Sequence, residues 1–188
     1  MGIDIDWNDA LTSQLNWHWD NQLRPRLAGL TDDEYFWEPA ADCWSIRRHG
    51  DSAAPVSVGG GEWAMDYAMP PHETEPVTTI AWRLAHIAVG VFGMRNASHF
   101  GGPPADYSTF EYAGSAAAAL DQLDAGYAVW IKGVQSLGAA GLARPCGPAE
   151  GPFAAYPMAA LVLHIHREVI HHGAEVALLR DLYLRQAG

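Results

Sequence analysis

The stretch Leu163-His164-Ile165-His166-Arg167-Glu168-Val169-Ile170-His171-His172-Gly173-Ala174-Glu175 decides how this chain is read. It holds four of the nine histidines within nine residues. No proline follows Pro157, and apolar residues recur at helical spacing as far as Leu184, so the stretch belongs to one long helix. Residues four apart share a helix face. His164, Glu168 and His172 therefore form a ladder, with Glu175 close to it and Leu161 and Leu179 on the same stripe. A face that is partly core yet carries imidazoles and carboxylates is costly unless those groups pair or bind a metal.

Upstream, Asp6 can cap a first helix from about Trp7 to Leu30, which Pro25 would kink or shorten. Thr31-Asp32-Asp33-Glu34 reads as the cap and first turn of a short helix that stops before Pro39. Residues 50–77 are rich in Gly and Pro and read as a long loop, with room for a strand pair near Val56–Gly60 and Glu62–Met65. Thr78 or Thr79 caps a second long helix through about Phe100, ended by Gly101-Gly102-Pro103-Pro104. Ser115 caps a third, from Ala116 to about Leu137. Residues 138–157 form another loop, and Pro157 suits the first turn of the last helix. Four long helices with almost no strand pattern describe an all-α bundle, a frame in which metal sites are built between facing helices.

Composition narrows the function. A chain of 188 residues fits one domain with a real core. Its formal net charge is −11, with one Lys and ten Arg, which argues against nucleic acid as a partner because phosphates need a basic surface. No apolar run approaches the length of a membrane span and no secretory leader pattern stands at the N-terminus, so no membrane partner is expected. Cys43 and Cys146 form no CxxC motif, and the cytoplasm is the expected compartment. Gly59-Gly60-Gly61 lacks the flanking strand, helix and Lys of a phosphate loop.

Glu168 and His172 supply two metal ligands one turn apart. A catalytic zinc usually has three protein ligands and an open position, so the third must come from another helix. In Trp82-Arg83-Leu84-Ala85-His86-Ile87-Ala88, His86 stands among apolar residues of the second helix. It is either a hydrogen-bonded core residue or a group facing the ladder. His166 falls on the opposite side of the last helix and is expected to be exposed, while His171 sits one step off the ladder. His18, His49, His72 and His99 lack spacing partners and read as structural. Trp17, Trp19, Trp37, Trp44 and Trp82 are expected in the core, and Trp63 could wall a pocket.

These motifs resemble those of the DinB-like superfamily, which includes thiol-dependent transferases and mycothiol-dependent maleylpyruvate isomerase. The resemblance rests on Trp82-x-Leu84-x-His86 and on His164 to His172 followed by Glu175 and Leu178-Leu179-Arg180-Asp181. Leu27-x-x-Leu30-Thr31-x-x-Glu34 to Trp37-x-Pro39, then Trp44-Ser45-Ile46, is also similar to the family. The resemblance implies a DinB-like four-helix bundle with long loops, as a single domain over residues 1–188. It also implies a divalent metal held by His86, Glu168 and His172. From helix position alone, His164 is either a partner behind Glu168 or a structural polar residue, and His171 stands behind the ligands rather than among them. Most members carry His where Glu168 stands, and the mycothiol-dependent isomerase branch carries Glu. The segment 50–77 is long for the family, and its usual H-H-R-G-Q-like ending reads His171-His172-Gly173-Ala174-Glu175 here.

Two imidazoles and a carboxylate suit zinc first, with nickel, manganese and iron compatible. The implied activity is a metal-dependent transferase or isomerase that uses a low-molecular-weight thiol such as mycothiol. Its partners would be that thiol and a small electrophilic substrate. A metal-dependent hydrolase that activates water is one alternative. The other is a non-enzymatic metal-binding stress or interaction protein whose bundle face forms a homodimer.

Overall fold

The computed structural model describes residues 5–70, 73–74 and 76–186, so His72 lies outside the described residues. The first helix, α1, covers residues 7–26 and starts where the Asp6 carboxylate accepts the N–H groups of Asn8 and Asp9 at 3.0 and 3.1 Å. Within it Trp19–Leu23 forms a π turn, and the Arg24 N–H reaches back to the Trp19 carbonyl. Pro25 supplies the reason: it has no N–H, and its ring crowds the carbonyl four residues earlier, so a widened turn relieves the clash. The helix ends at Arg26, short of the expected Leu30, and Gly29 turns the chain at φ 71°. The short α2, Asp32–Tyr35, opens with the full reciprocal cap between Thr31 and Glu34.

A small sheet follows. β1 (Ile46–Arg48), β2 (Val56–Val58) and β3 (Trp63–Tyr67) pair antiparallel in the order β1-β3-β2. The expected strand pair is present with its second member shifted, and β1 is an addition. The buried Asp66 of β3 draws β1 in, accepting the Ser45 N–H at 2.9 Å and the Arg47 Nε–H at 3.0 Å. A three-residue strand pinned by a carboxylate leaves no period-two pattern to read.

The helix α3 covers residues 80–99 and is capped by Thr79, whose hydroxyl accepts the Trp82 N–H. Its middle, Ile87–Gly93, is a second π turn. α4 (Ala116–Gln135) begins at Ser115 as expected. The connection read as a loop carries a short helix α5 (Gly138–Ala143) and a 3-10 segment at Pro148–Phe153. α6 (Met158–Gln186) is the longest element. α1 and α3 each pack against α4 and α6, which makes a four-helix bundle, and the sheet lies against the N-terminal part of α3. Among the described residues no helix is long and apolar enough to cross a membrane.

The core is filled by Trp130, Phe92, Leu123, Leu84, Ile87, Leu15 and Met158. Trp19 is buried, but Trp17 is 59% exposed, against expectation. The inward stripe of α1 runs Thr12, Leu15, Trp19, Leu23, and Trp17 stands about 200° from Trp19 around the helix. Trp37, Trp44 and Trp82 are half-buried. Trp63 stacks on Phe36 at 5.3 Å and lines a shallow cavity with it.

The largest correction concerns His166, which is buried rather than exposed. The buried stripe of α6 runs Met158, Val162, Ile165/His166, Val169, His172/Gly173, Val176, because this helix is covered by α1, α3 and α5 together. The ladder from His164 to Glu175 lies on its flank. His166 meets Trp130 edge-on at 6.2 Å, and neither ring nitrogen has a partner among the described residues. Burial pushes its pKa down to about 4.

Arg180 binds the ends of the chain together. Its guanidinium lies 2.9 Å from the buried Glu34 carboxylate and donates to the Ala28 carbonyl at 2.8 Å. Burial alone would raise the Glu34 pKa, but Arg180 and Thr31 outweigh it and hold the carboxyl below its usual range. Two outcomes follow, both read by urea unfolding. His166→Leu should stabilise the fold by about 1 kcal/mol, since it removes two orphaned polar atoms at similar volume; a loss of stability would refute the orphaned state. Arg180→Leu should cost roughly 3 kcal/mol by stranding Glu34, and Glu34→Leu added to it should recover most of the loss; a stable single variant would refute the coupling.

Candidate metal centre

α3 and α6 bring His86 and His172 together from different settings: His86 is on the half-buried face of α3 with Trp82 and Arg83, and His172 is on the buried stripe of α6 with Val169 and Val176. The two rings meet edge-to-face with centroids 4.7 Å apart and planes at 88°. One turn before His172, the Glu168 carboxylate lies 3.5 Å from its Nε2. All three residues expected as ligands thus meet at one seam of the bundle.

The other ring nitrogens explain the orientation. His172 Nδ1 is 2.7 Å from Glu175 Oε2. A carboxylate only accepts, so Nδ1 carries the hydrogen and Nε2 holds the lone pair toward Glu168. Glu175 is fixed in turn by Arg83 Nε at 3.0 Å. His86 Nδ1 is 2.8 Å from the Tyr107 hydroxyl. Burial pushes that phenol up to about 12, so it stays protonated and can either accept from Nδ1–H or donate to Nδ1, according to the His86 tautomer. Burial, with lesser effects from His172 and Arg83, lowers the His86 pKa to about 4, so the ring is neutral at neutral pH, the state that ligates metals.

Tyr107 reaches His86 only because residue 90 is glycine. A methyl group there would overlap the Tyr107 hydroxyl and press on the His86 ring. Gly90 lies inside the π turn of α3, a feature that recurs at functional sites. A cavity of about 220 Å3 opens against His86, Glu168, Gly90 and Tyr107. Arg95 and His164 line it as well.

The supporting histidines differ in standing. His164 Nδ1 is 3.3 Å from Glu168 Oε1, but Arg167 Nη2 lies 2.6 Å from the same nitrogen. Arginine only donates, so His164 Nδ1 is an acceptor and Glu168 takes its hydrogen bonds from Arg167. His171 is exposed, with Nε2 3.6 Å from Glu175 Oε1. Among the described residues, His171, His172 and Glu175 are the group whose ligand atoms already lie within 4.8 Å of one another and could hold an ion; His86, Glu168 and His172 are not gathered that closely. His99 bonds Glu150 at 2.9 Å, away from the seam. Burial raises the thiol pKa of both Cys43 and Cys146, so neither is a ready thiolate.

Arg83 and Tyr107 escaped the sequence reading. Arg83 stands three residues before His86, a spacing that could have flagged it. Tyr107 lies in a Pro-rich loop with no periodicity to place it. Tyr107→Phe and Gly90→Ala should each weaken divalent-ion binding about ten- to hundredfold, the usual cost of losing a group that orients a ligating His. Calorimetric zinc titration of the folded variants checks this, and wild-type affinity in both would remove Tyr107 from the site.

No curated protein and no solved structure matches the chain. The family model of the DinB superfamily matches residues 14–176, a span that contains α3, the Tyr107 loop and every His and Glu of the seam. That superfamily often binds divalent metals, and this chain carries a possible His/Glu site for one. The chain belongs to the DinB superfamily.

Proposed function

We propose that this protein is a divalent-metal-dependent transferase or isomerase that activates a low-molecular-weight thiol, such as mycothiol, against a small electrophile. His86, Glu168 and His172 are its ligands, and zinc is the preferred ion. One observation carries the reading. Two imidazoles from different helices have their Nδ1 atoms engaged by Tyr107 and Glu175, while the 220 Å3 cavity beside Glu168 leaves room for a fourth, exchangeable ligand. Two imidazoles and one carboxylate would give a bound dication a net +1 site, a donor set that suits zinc.

A bound divalent ion would supply the acidity that turns a coordinated thiol into a thiolate near neutral pH. The chain's own groups do the rest. Tyr107 and Glu175 hold the two rings by their Nδ1 atoms. Arg83 holds Glu175 aimed at His172 Nδ1. Val91, Met94 and Ile165 give the cavity an apolar wall beside its polar lining. A structural site would be closed by a fourth protein ligand. Here the nearest further carboxylate, Glu175, is already engaged by Arg83 and His172.

Glu168→Gln and His172→Ala should both abolish metal-dependent conjugation of thiols to halides, epoxides or activated alkenes, while helical circular dichroism is kept. Chelation should lower the melting temperature of wild type, because an ion bound only to the native state at a hundredfold excess over Kd stabilises by about 2.7 kcal/mol. Zinc-loaded wild type that conjugates none of mycothiol, bacillithiol, glutathione and coenzyme A would end the thiol reading. A melting temperature indifferent to chelator and zinc would end the metal reading.

A further inference from the structure

The seam does not end at Glu168. Arg95 and His164 line the 220 Å3 cavity and also a second one of about 400 Å3 on the far side. The floor of this larger cavity is apolar, with Leu161, Ala160 and the protonated Cys146 thiol. Its outer wall is formed by Phe153 and Tyr156, whose rings meet edge-on at 5.6 Å. Both are more than half exposed, at 59% and 55%. Paired aromatics left open to water beside an apolar floor are suited to take up a planar or branched apolar body.

The charge of this cavity runs against that of the chain. The protein carries −11 overall, yet the cavity is lined by two arginines and one carboxylate. That carboxylate, Glu150, is already engaged: it is buried, 2.9 Å from His99 Nε2 and 3.4 Å from Arg95 Nη2. Arg95 is held in place by donating from Nη1 to the Gly90 carbonyl at 3.1 Å. Its Nε–H is buried without an acceptor among the described residues, so the guanidinium has donor capacity left over. Arg167 stands at the rim with its side chain 69% exposed, anchored at one end to Glu168 and His164. Two guanidinium groups flanking an apolar, aromatic-walled cavity form a receptor for one planar anion.

We infer that the larger cavity binds an organic carboxylate with an aromatic or branched apolar body. The carboxylate sits between Arg95 and Arg167 at the junction of the two cavities. The body lies outward against Phe153 and Tyr156, so carbons next to the carboxylate face the smaller cavity. This rests on the proposed reading only in taking the smaller cavity as the reacting centre; the anion site itself needs no metal.

The test uses 4-phenylbutyrate and its uncharged twin, 4-phenylbutyramide, titrated by calorimetry into the full chain with and without zinc. The acid should bind chelated and zinc-loaded protein alike, and the amide should bind about tenfold more weakly or not at all, the scale of one charge-assisted contact. Arg167→Gln, a change at an exposed position that keeps the fold, should weaken the acid about tenfold and leave the amide unchanged. Phe153→Ala should weaken both. Equal binding of acid and amide, or acid binding indifferent to Arg167→Gln, would overturn the inference. So would acid binding seen only with zinc, which would put the carboxylate on the ion. Carboxylate binding that survives while every thiol assay fails would remove the proposed activity and leave this site standing.

Discussion

An imidazole inside a helix bundle is tolerable only when its nitrogens have partners, and this constraint organises the molecule. His86 and His172 satisfy it jointly. Each gives its Nδ1 to a group brought from elsewhere, Tyr107 from a loop and Glu175 from the next turn of α6. What remains at His172 is Nε2, 3.5 Å from the Glu168 carboxylate. The edge-to-face approach of the two rings sets how closely α3 and α6 can pack at this level, so seam and bundle geometry are one problem. His166 is the contrast: it is buried on the same helix as His172, and neither of its nitrogens has a partner among the described residues.

The backbone irregularities cluster where the chemistry does. α3 widens into a π turn from Ile87 to Gly93, directly after His86. That turn contains Gly90, whose missing side chain admits the Tyr107 hydroxyl and whose carbonyl receives Arg95. One residue thus serves both cavities, once by what it lacks and once by its backbone oxygen. The matching π turn in α1 has a different origin, the proline two residues beyond it, and no titratable cluster lies against it.

The long helices were legible because each pairs a capping side chain with a sustained apolar stripe: Asp6, Thr79 and Ser115 all cap as their chemistry suggests. The i, i+4 pair of Glu168 and His172, and the lone His86 amid apolar neighbours, could be read as a converging set. The phase of α6 could not. A ladder of four-residue steps drifts about 40° each step around a helix of 3.6 residues per turn, so from His164 to His172 it turns by about 80° and only His172 reaches the buried stripe. Choosing the polar ladder as the inward face placed His166 outside, whereas burial by three neighbours put the apolar stripe and His166 inside. β1 and Tyr107 were invisible for a related reason. Both are held by long-range side-chain hydrogen bonds, to Asp66 and to His86, and such bonds leave no periodic trace.

The group formed by His171, His172 and Glu175 competes with the seam for the same imidazole, and the choice turns on which nitrogen of His172 is free. An ion on the outer side would have to replace the proton of Nδ1 and break its 2.7 Å bond to Glu175. It would also have to draw Glu175 from Arg83, leaving that half-buried guanidinium without its carboxylate. The third ligand there, His171, is 63% exposed at its side chain and would give up rotamer freedom to bind. On the inner side none of these costs arises. Nε2 already holds a lone pair, Glu168 stands 3.5 Å away, and His86 is kept neutral by burial. The same contacts that disfavour the outer position strengthen the inner one, since a carboxylate on Nδ1–H makes the opposite nitrogen a better donor to a cation. Glu175 and Arg83 are therefore best understood as the support behind the seam.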